Sequence, residues 1–264
     1  MSNIDRNVAT SPFGQTVDRI GTVAVDEGLR AYMLRIYNYM VLGLAITGLA
    51  ALGTYMLAVT ADPNLAVMKL RDGLMLTGFG RAIFVSPLKW AVILAPLAMV
   101  LVIGFGIERV RPTMAQILFW IFAALMGLSL SSIFLVFTHA SIVRVFFITA
   151  VSFGALSLYG YTTQRDLTGM GSFLIMGLFG VILASLVNLF LQASVVQWAV
   201  SVVGVLVFAG LTAYDTQRLK NEYIYAAMDG VAAERSSIMG ALSLYLNFIN
   251  LFTLLLQLLG QRDE

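Results

Sequence analysis

The stretch "LTGMGSFLIMGLFGVILASLVNLFLQASVVQWAVSVVGVLVFAGLTAY", Leu167 to Tyr214, runs for 48 residues without a single charge. A helix needs roughly 20 apolar residues to cross about 30 Å of hydrocarbon, so this run is too long for one crossing and suits a hairpin of two. The polar patch "QASVVQ", Gln192 to Gln197, is the expected turn. Helices are expected because in lipid only a helix or a closed barrel satisfies the backbone internally, and the period-two alternation of a barrel strand is absent.

Five further uncharged stretches flank this one, at 36–61, 90–107, 112–143, 145–164 and 236–261, and each is long enough for one crossing. The chain therefore reads as an all-α polytopic membrane protein with seven transmembrane helices. One transmembrane domain is expected over 31–264, preceded by a polar, flexible cytoplasmic arm at 1–30. That arm mixes Asp5, Arg6, Asp18, Arg19, Asp26 and Glu27 with small residues and has no apolar core of the signal-peptide kind. Composition agrees, with 59% hydrophobic and 11% charged residues, against about 25% charged in soluble domains. The net charge is +2 with scattered cations, so no nucleic-acid partner is implied. The chain has no cysteine, which excludes disulfides and thiol chemistry.

With the amino terminus inside, inner segments hold 10 Lys and Arg and outer segments 6, which favours a cytoplasmic amino terminus and an outer carboxyl terminus. The first outer loop contains "GLMLTGFG", expected to lie along the interface.

Polar residues inside the spans fall in stripes. Gln197, Ser201, Gly204, Thr212 and Asp215 share one narrow face of the sixth span, and Ser243, Asn247, Asn250 and Gln257 share one of the seventh. Ser185, Asn188 and Gln192 follow more loosely on the fifth, so three helices are expected to turn hydrogen-bonding faces toward a common axis with the seventh at the centre. One reading of these stripes is adhesion between helices. Asp215 asks for more, because an aspartate deep in a span costs about 2.5–3.5 kcal/mol on insertion scales and is also unfavourable near a helix's carboxyl end. Its alternatives are an interfacial pair with Arg218 at i+3 or a functional role.

Enzyme chemistry finds no support in the sequence. The spans contain no second aspartate for an aspartyl dyad, and Asp166 belongs to a loop. Ser129 and His139, the one histidine, stand ten residues apart along what reads as one helix, too far to bond. Metalloprotease, serine-hydrolase, phosphate-loop and dinucleotide motifs are absent, so no catalytic residue and no cofactor is expected.

"YGYTTQRDL" at 159–167, "TAYDTQRLK" at 212–220 and "ALSLYLNFINLF" at 241–252 occur in that order along the chain. In that order and with seven spans, the sequence resembles the Bax inhibitor-1 family of transmembrane proteins over about residues 30 to 260, and its Thr-Thr-Gln-Arg-Asp loop at 162–166 is similar to that of bacterial members. The resemblance implies a bundle wrapped around the seventh helix, a pH-sensitive calcium leak and a place in the bacterial inner membrane. It further implies a pair of aspartates, on the sixth and seventh helices, that share a proton and close the pore. The first of these falls on Asp215 and the second on Asn247, where this chain departs from the pattern. An Asp–Asn pair lacks the like-charge repulsion that holds a shared proton, so pH gating is expected to weaken or to move to lower pH. Tyr214, Thr212, Ser243 and Asn250 are expected to supply supporting polar contacts, with calcium bound only transiently at Asp215, because tight sites need six to eight oxygens. Two rivals stand beside the leak. The first is a regulator of a membrane-bound quality-control protease acting through the arm, and the second is a proton-coupled transporter.

Overall fold

The computed structural model describes residues 12–71, 74–106, 110–226 and 230–263. Seven of its helices are long and apolar enough to cross a membrane. In chain order they are α1 (Pro12–Ala58), α3 (Leu88–Gly106), α4 (Pro112–Leu130) with its short continuation α5 (Ile133–Val136), α6 (His139–Thr162), α7 (Thr168–Leu191), α8 (Ser194–Ala226) and α9 (Gly230–Leu259). The protein is a mostly helical polytopic membrane protein.

Helix α9 is the core. In its apolar window 56% is buried, against 11–33% in the other spans, and α1, α4, α6 and α8 all pack on it. Its sequence explains this. Large apolar residues such as Leu244, Tyr245, Leu251 and Leu256 and small ones such as Gly240 and Ala241 are buried around most of the helix, a composition suited to a centre rather than to one lipid face. Helices α3 and α7 are peripheral, packing chiefly on α4 and α8. Close crossings use glycine: a Cβ on Gly160 of α6 would lie 2.2 Å from the carbonyl oxygen of Ala213, and one on Gly127 of α4 would lie 2.4 Å from that of Thr47.

The structure corrects several sequence expectations. The hairpin within 167–214 turns on two residues, Gln192 and Ala193, not on the whole of "QASVVQ". Gln192 takes the left-handed conformation, with φ 50°, and its amide returns to the carbonyl of Asn188, whose side-chain oxygen accepts from Ala193. This left-handed cap reverses the chain quickly enough for Val195, Val196 and Gln197 to join α8.

The third and fourth spans separate at Phe137 and Thr138, not at Arg144, which lies inside α6. The Thr138 hydroxyl caps α6 by accepting from the Ser141 amide, whereas an exposed arginine near a helix end can reach the interface and breaks nothing. Ser129 and His139 therefore stand on different helices, and His139 packs against the rings of Tyr55 and Phe134.

From Leu74 on, the described part of "GLMLTGFG" folds as more than an interfacial strip. Strand β3 (Leu74–Leu76) lies between β1 (Val59–Thr60) and β2 (Met68–Arg71) in an antiparallel sheet, and α2 (Gly78–Phe84) follows with Thr77 as its cap. The sheet is a strand element that the absence of long alternation had left unexpected. Over its described part the expected amino-terminal arm is a helical extension of α1, which begins at Pro12.

Helices α8 and α9 also overrun the charge-free stretches, to Ala226 and from Gly230. Asp215 is thus an interior residue of α8, eleven residues before its end, and the expected penalty from a negative helix terminus does not apply.

Candidate functional site

Asp215 lies about 32 Å along α8 from Ser194, at 1.5 Å per residue, close to one edge of the hydrocarbon thickness. It nonetheless faces protein, with 6% of its surface exposed, on the seam between α8 and α9. Each carboxylate oxygen has its own donors. On Oδ2 converge the amide nitrogen of Asn247 at 2.7 Å and the hydroxyl of Ser243 at 2.8 Å, both from α9. On Oδ1 sits the Arg218 guanidinium at 3.1 Å, one turn farther along α8. Arg218 is half-exposed and also reaches Ser243 Oγ at 3.5 Å and Glu222 at 3.5 Å.

Ser243 and Asn247 reach one oxygen because they are four residues apart, one above the other on the same face of α9. The two readings of Asp215 are not exclusive in this geometry: it pairs with Arg218 at i+3 and is buried against the seventh span at the same time. An ionised carboxylate only accepts hydrogen bonds, and every neighbour described here is a donor, so the arrangement matches the charged form.

Of the residues expected to cooperate, Asp215, Asn247 and Ser243 come together, while three others bond elsewhere. The Thr212 hydroxyl donates to the Phe208 carbonyl of its own helix. The Tyr214 ring points the other way, against Gly171 of α7, where a Cβ would lie 2.4 Å from it. Asn250 donates to the carbonyl of Leu246. The expected common polar axis also contracts to two helices. Ser201 of α8 donates to Gln257 of α9 at 3.0 Å, but in α7 Ser185 bonds its own backbone and Asn188 caps the turn.

Two polar connections beside the site escaped the sequence reading. Thr216, next to Asp215, bonds Ser157 of α6 at 2.9 Å, and Ser157 in turn bonds the Tyr37 hydroxyl of α1. Gln217 donates to the Arg165 carbonyl and accepts from the Leu167 amide, both at 2.8 Å, fastening the α6–α7 loop to α8. Both follow from Thr216 and Gln217 of "DTQR", the stretch that begins at Asp215. The signal was a run of polar residues directly after the aspartate, but the partners lie 50 to 59 residues away in sequence.

Comparison with known proteins settles the lineage. The family model described as "Inhibitor of apoptosis-promoting Bax1" matches residues 29–264. The chain belongs to the Bax inhibitor-1 family. It is 49% identical over 239 residues to the uncharacterized protein RP147 of Rickettsia prowazekii, covering 90% of this chain and 93% of that one. An uncharacterized protein of Caulobacter vibrioides is 42% identical along the whole of both chains. The inner membrane protein YbhL of Escherichia coli K12 is 46% identical over 237 residues, covering 89% of this chain and 93% of its own. Within the Bax inhibitor-1 family pattern, the seam between the sixth and seventh helices carries one carboxylate here, and the amide of Asn247 donates where a second carboxylate was expected to share a proton.

Proposed function

We propose that this protein is a pH-sensitive leak for cations, with calcium the expected ion, in the bacterial inner membrane. Asp215 is its protonatable contact and Asn247 the partner that holds it. The observation that carries the reading is a buried carboxylate tied on both oxygens across the α8–α9 seam. Membership of the Bax inhibitor-1 family supports the class of activity, and the inner-membrane name of the Escherichia coli relative supports the location.

The mechanism follows from donor and acceptor counting. While Asp215 is ionised, Asn247 and Ser243 draw α9 onto α8 and Arg218 covers the other oxygen, so the seam is shut. A proton on Asp215 removes the charge that holds Arg218 and places a hydrogen where the donors already point, which weakens the closure. Acidification therefore raises the leak. Among the described residues the charged groups paired around Asp215 are Arg218 and, behind it, Glu222, whereas Ser243 and Asn247 do not titrate in this range. One carboxylate with amide and hydroxyl oxygens makes a weak, releasable cation contact, as conduction requires. The leak needs no catalytic residue and no cofactor.

Calcium flux into vesicles holding the purified chain tests the reading. Asp215→Asn is expected to remove the pH response and Asp215→Ala to alter the resting flux as well. If both variants match the natural protein across the pH range, the reading is wrong.

A further inference from the structure

Helices α1 and α6 both pack on α9 but leave a groove of about 1270 Å³ between them. That exceeds the roughly 300–1,000 Å³ of ordinary small-molecule pockets. Its floor is Phe248, Ile249 and Phe252 of α9, and its rims carry lipid-facing side chains such as Phe147 and Leu158. Two glycines keep it open. Gly48 on α1 and Gly154 on α6 both line the groove, and a Cβ on either would meet no atom within 4 Å.

The groove is chemically lopsided. At one end Leu130 and Ile133 close it with hydrocarbon, while at the other stand Tyr37 and Ser157, bonded to each other, with Arg30 beyond. Arg30 is exposed, about 10 Å along α1 from Tyr37 and six residues before the uncharged run that opens at 36, a place suited to a headgroup, and it makes no ion pair or hydrogen bond with any described residue. A long apolar trough ending in a guanidinium with no anion among the described residues to pair it fits an amphiphile whose head is an anion. Guanidinium forks match phosphate oxygens, and an empty trough would forfeit dispersion contacts along its length.

The geometry points to this groove as a binding site for an acyl chain of an anionic phospholipid from the leaflet on the amino-terminal side, with its phosphate at Arg30. The inference stands on the α1–α6 groove alone and does not depend on the proposed leak.

Native mass spectrometry of the full chain, equilibrated with phosphatidylglycerol or with phosphatidylcholine of the same acyl chains, tests it. The natural protein is expected to retain the anionic lipid about fivefold better, the ratio that one interfacial cation supplies. Arg30→Ala should abolish that preference, whereas Arg144→Ala, an exposed cation at the far end of α6, should leave it. Gly48→Phe and Gly154→Phe should lower retention of both lipids by filling the trough. Arg30 is exposed, so its replacement leaves folding intact and keeps the comparison decisive. Equal retention of the two lipids by the natural chain, or a preference that survives Arg30→Ala, overturns the assignment. So does a disulfide-linked dimer formed in membranes by Gly154→Cys in this cysteine-free chain, which would make a second copy the occupant.

Discussion

Asn247 donates its amide hydrogen to Oδ2 of Asp215 over 2.7 Å, and that bond crosses the seam between the central helix and its principal neighbour. An amide in this place cannot share a proton as a second carboxylate would. In the proposed leak, closure then depends on one titrating group, with Arg218 as counter-charge on the other oxygen.

Replacing the amide tests this dependence. Asn247→Asp sets two carboxylates within hydrogen-bond distance, and their repulsion holds one shared proton to higher pH. The midpoint of calcium flux against pH in vesicles is expected to move upward, by about one pH unit or more. An unmoved midpoint would show that the seam does not set the pH response.

The α6–α8 contact rests on backbone approach at Gly160. Gly160→Ala forces a Cβ into the Ala213 carbonyl and should destabilise the bundle by about 1–3 kcal/mol. Gly154→Ala, on the same helix but facing open space, should be neutral or stabilising by about 0.4–1 kcal/mol. Thermal unfolding in detergent reads the contrast, and equal shifts for the two variants would contradict the close crossing.

Gln217 clamps the loop between α6 and α7. Gln217→Ala strands the buried Leu167 amide and frees the Arg165 carbonyl, at a cost of about 1–3 kcal/mol for local closure. Trypsin should then cut after Arg165 many times faster than in the natural chain. Unchanged cleavage would mean that something else holds the loop.

Asp166, in the same loop and outside the spans, has its carboxyl held below the usual carboxylate range, first by the Thr168 hydroxyl at 2.6 Å and then by the Thr168 amide at 2.9 Å. A depressed carboxylate contributes to the folded loop above its unfolded pKa of about 3.9, and the contribution is lost as pH falls through the folded value. Thr168→Val removes the larger cause and keeps the amide. The Asp166 carboxyl signal followed by carbon NMR should therefore titrate at higher pH than in the natural protein while remaining below the ordinary value. A titration identical to that of the natural chain would remove the hydroxyl's role.

The chain by itself determined that seven helices cross a membrane, because hydrocarbon selects long uncharged runs whatever their neighbours do. It also determined that Asp215 and Asn247 lie on polar faces, since helical periodicity is local. Boundaries set by charge were less secure. Arg144 and Arg218 sit within helices because a long side chain can carry its charge to water while its backbone stays helical, so the α8 and α9 ends and the 137–138 break escaped a reading keyed to charged residues.

Only the tertiary structure decided which polar groups share a site. Thr212 and Asp215 fall on one stripe, yet Thr212 bonds only its own helix while Asp215 also bonds α9, because a hydroxyl can donate back to the i−4 carbonyl whereas an ionised carboxylate cannot donate and collects donors from Arg218, Ser243 and Asn247. The level of Asp215 against Asn247 depended on how far α8 and α9 extend and how they cross. The α1–α6 groove depended on two helices leaning on a third without closing on each other. Such relations span tens to hundreds of residues, and packing alone sets them.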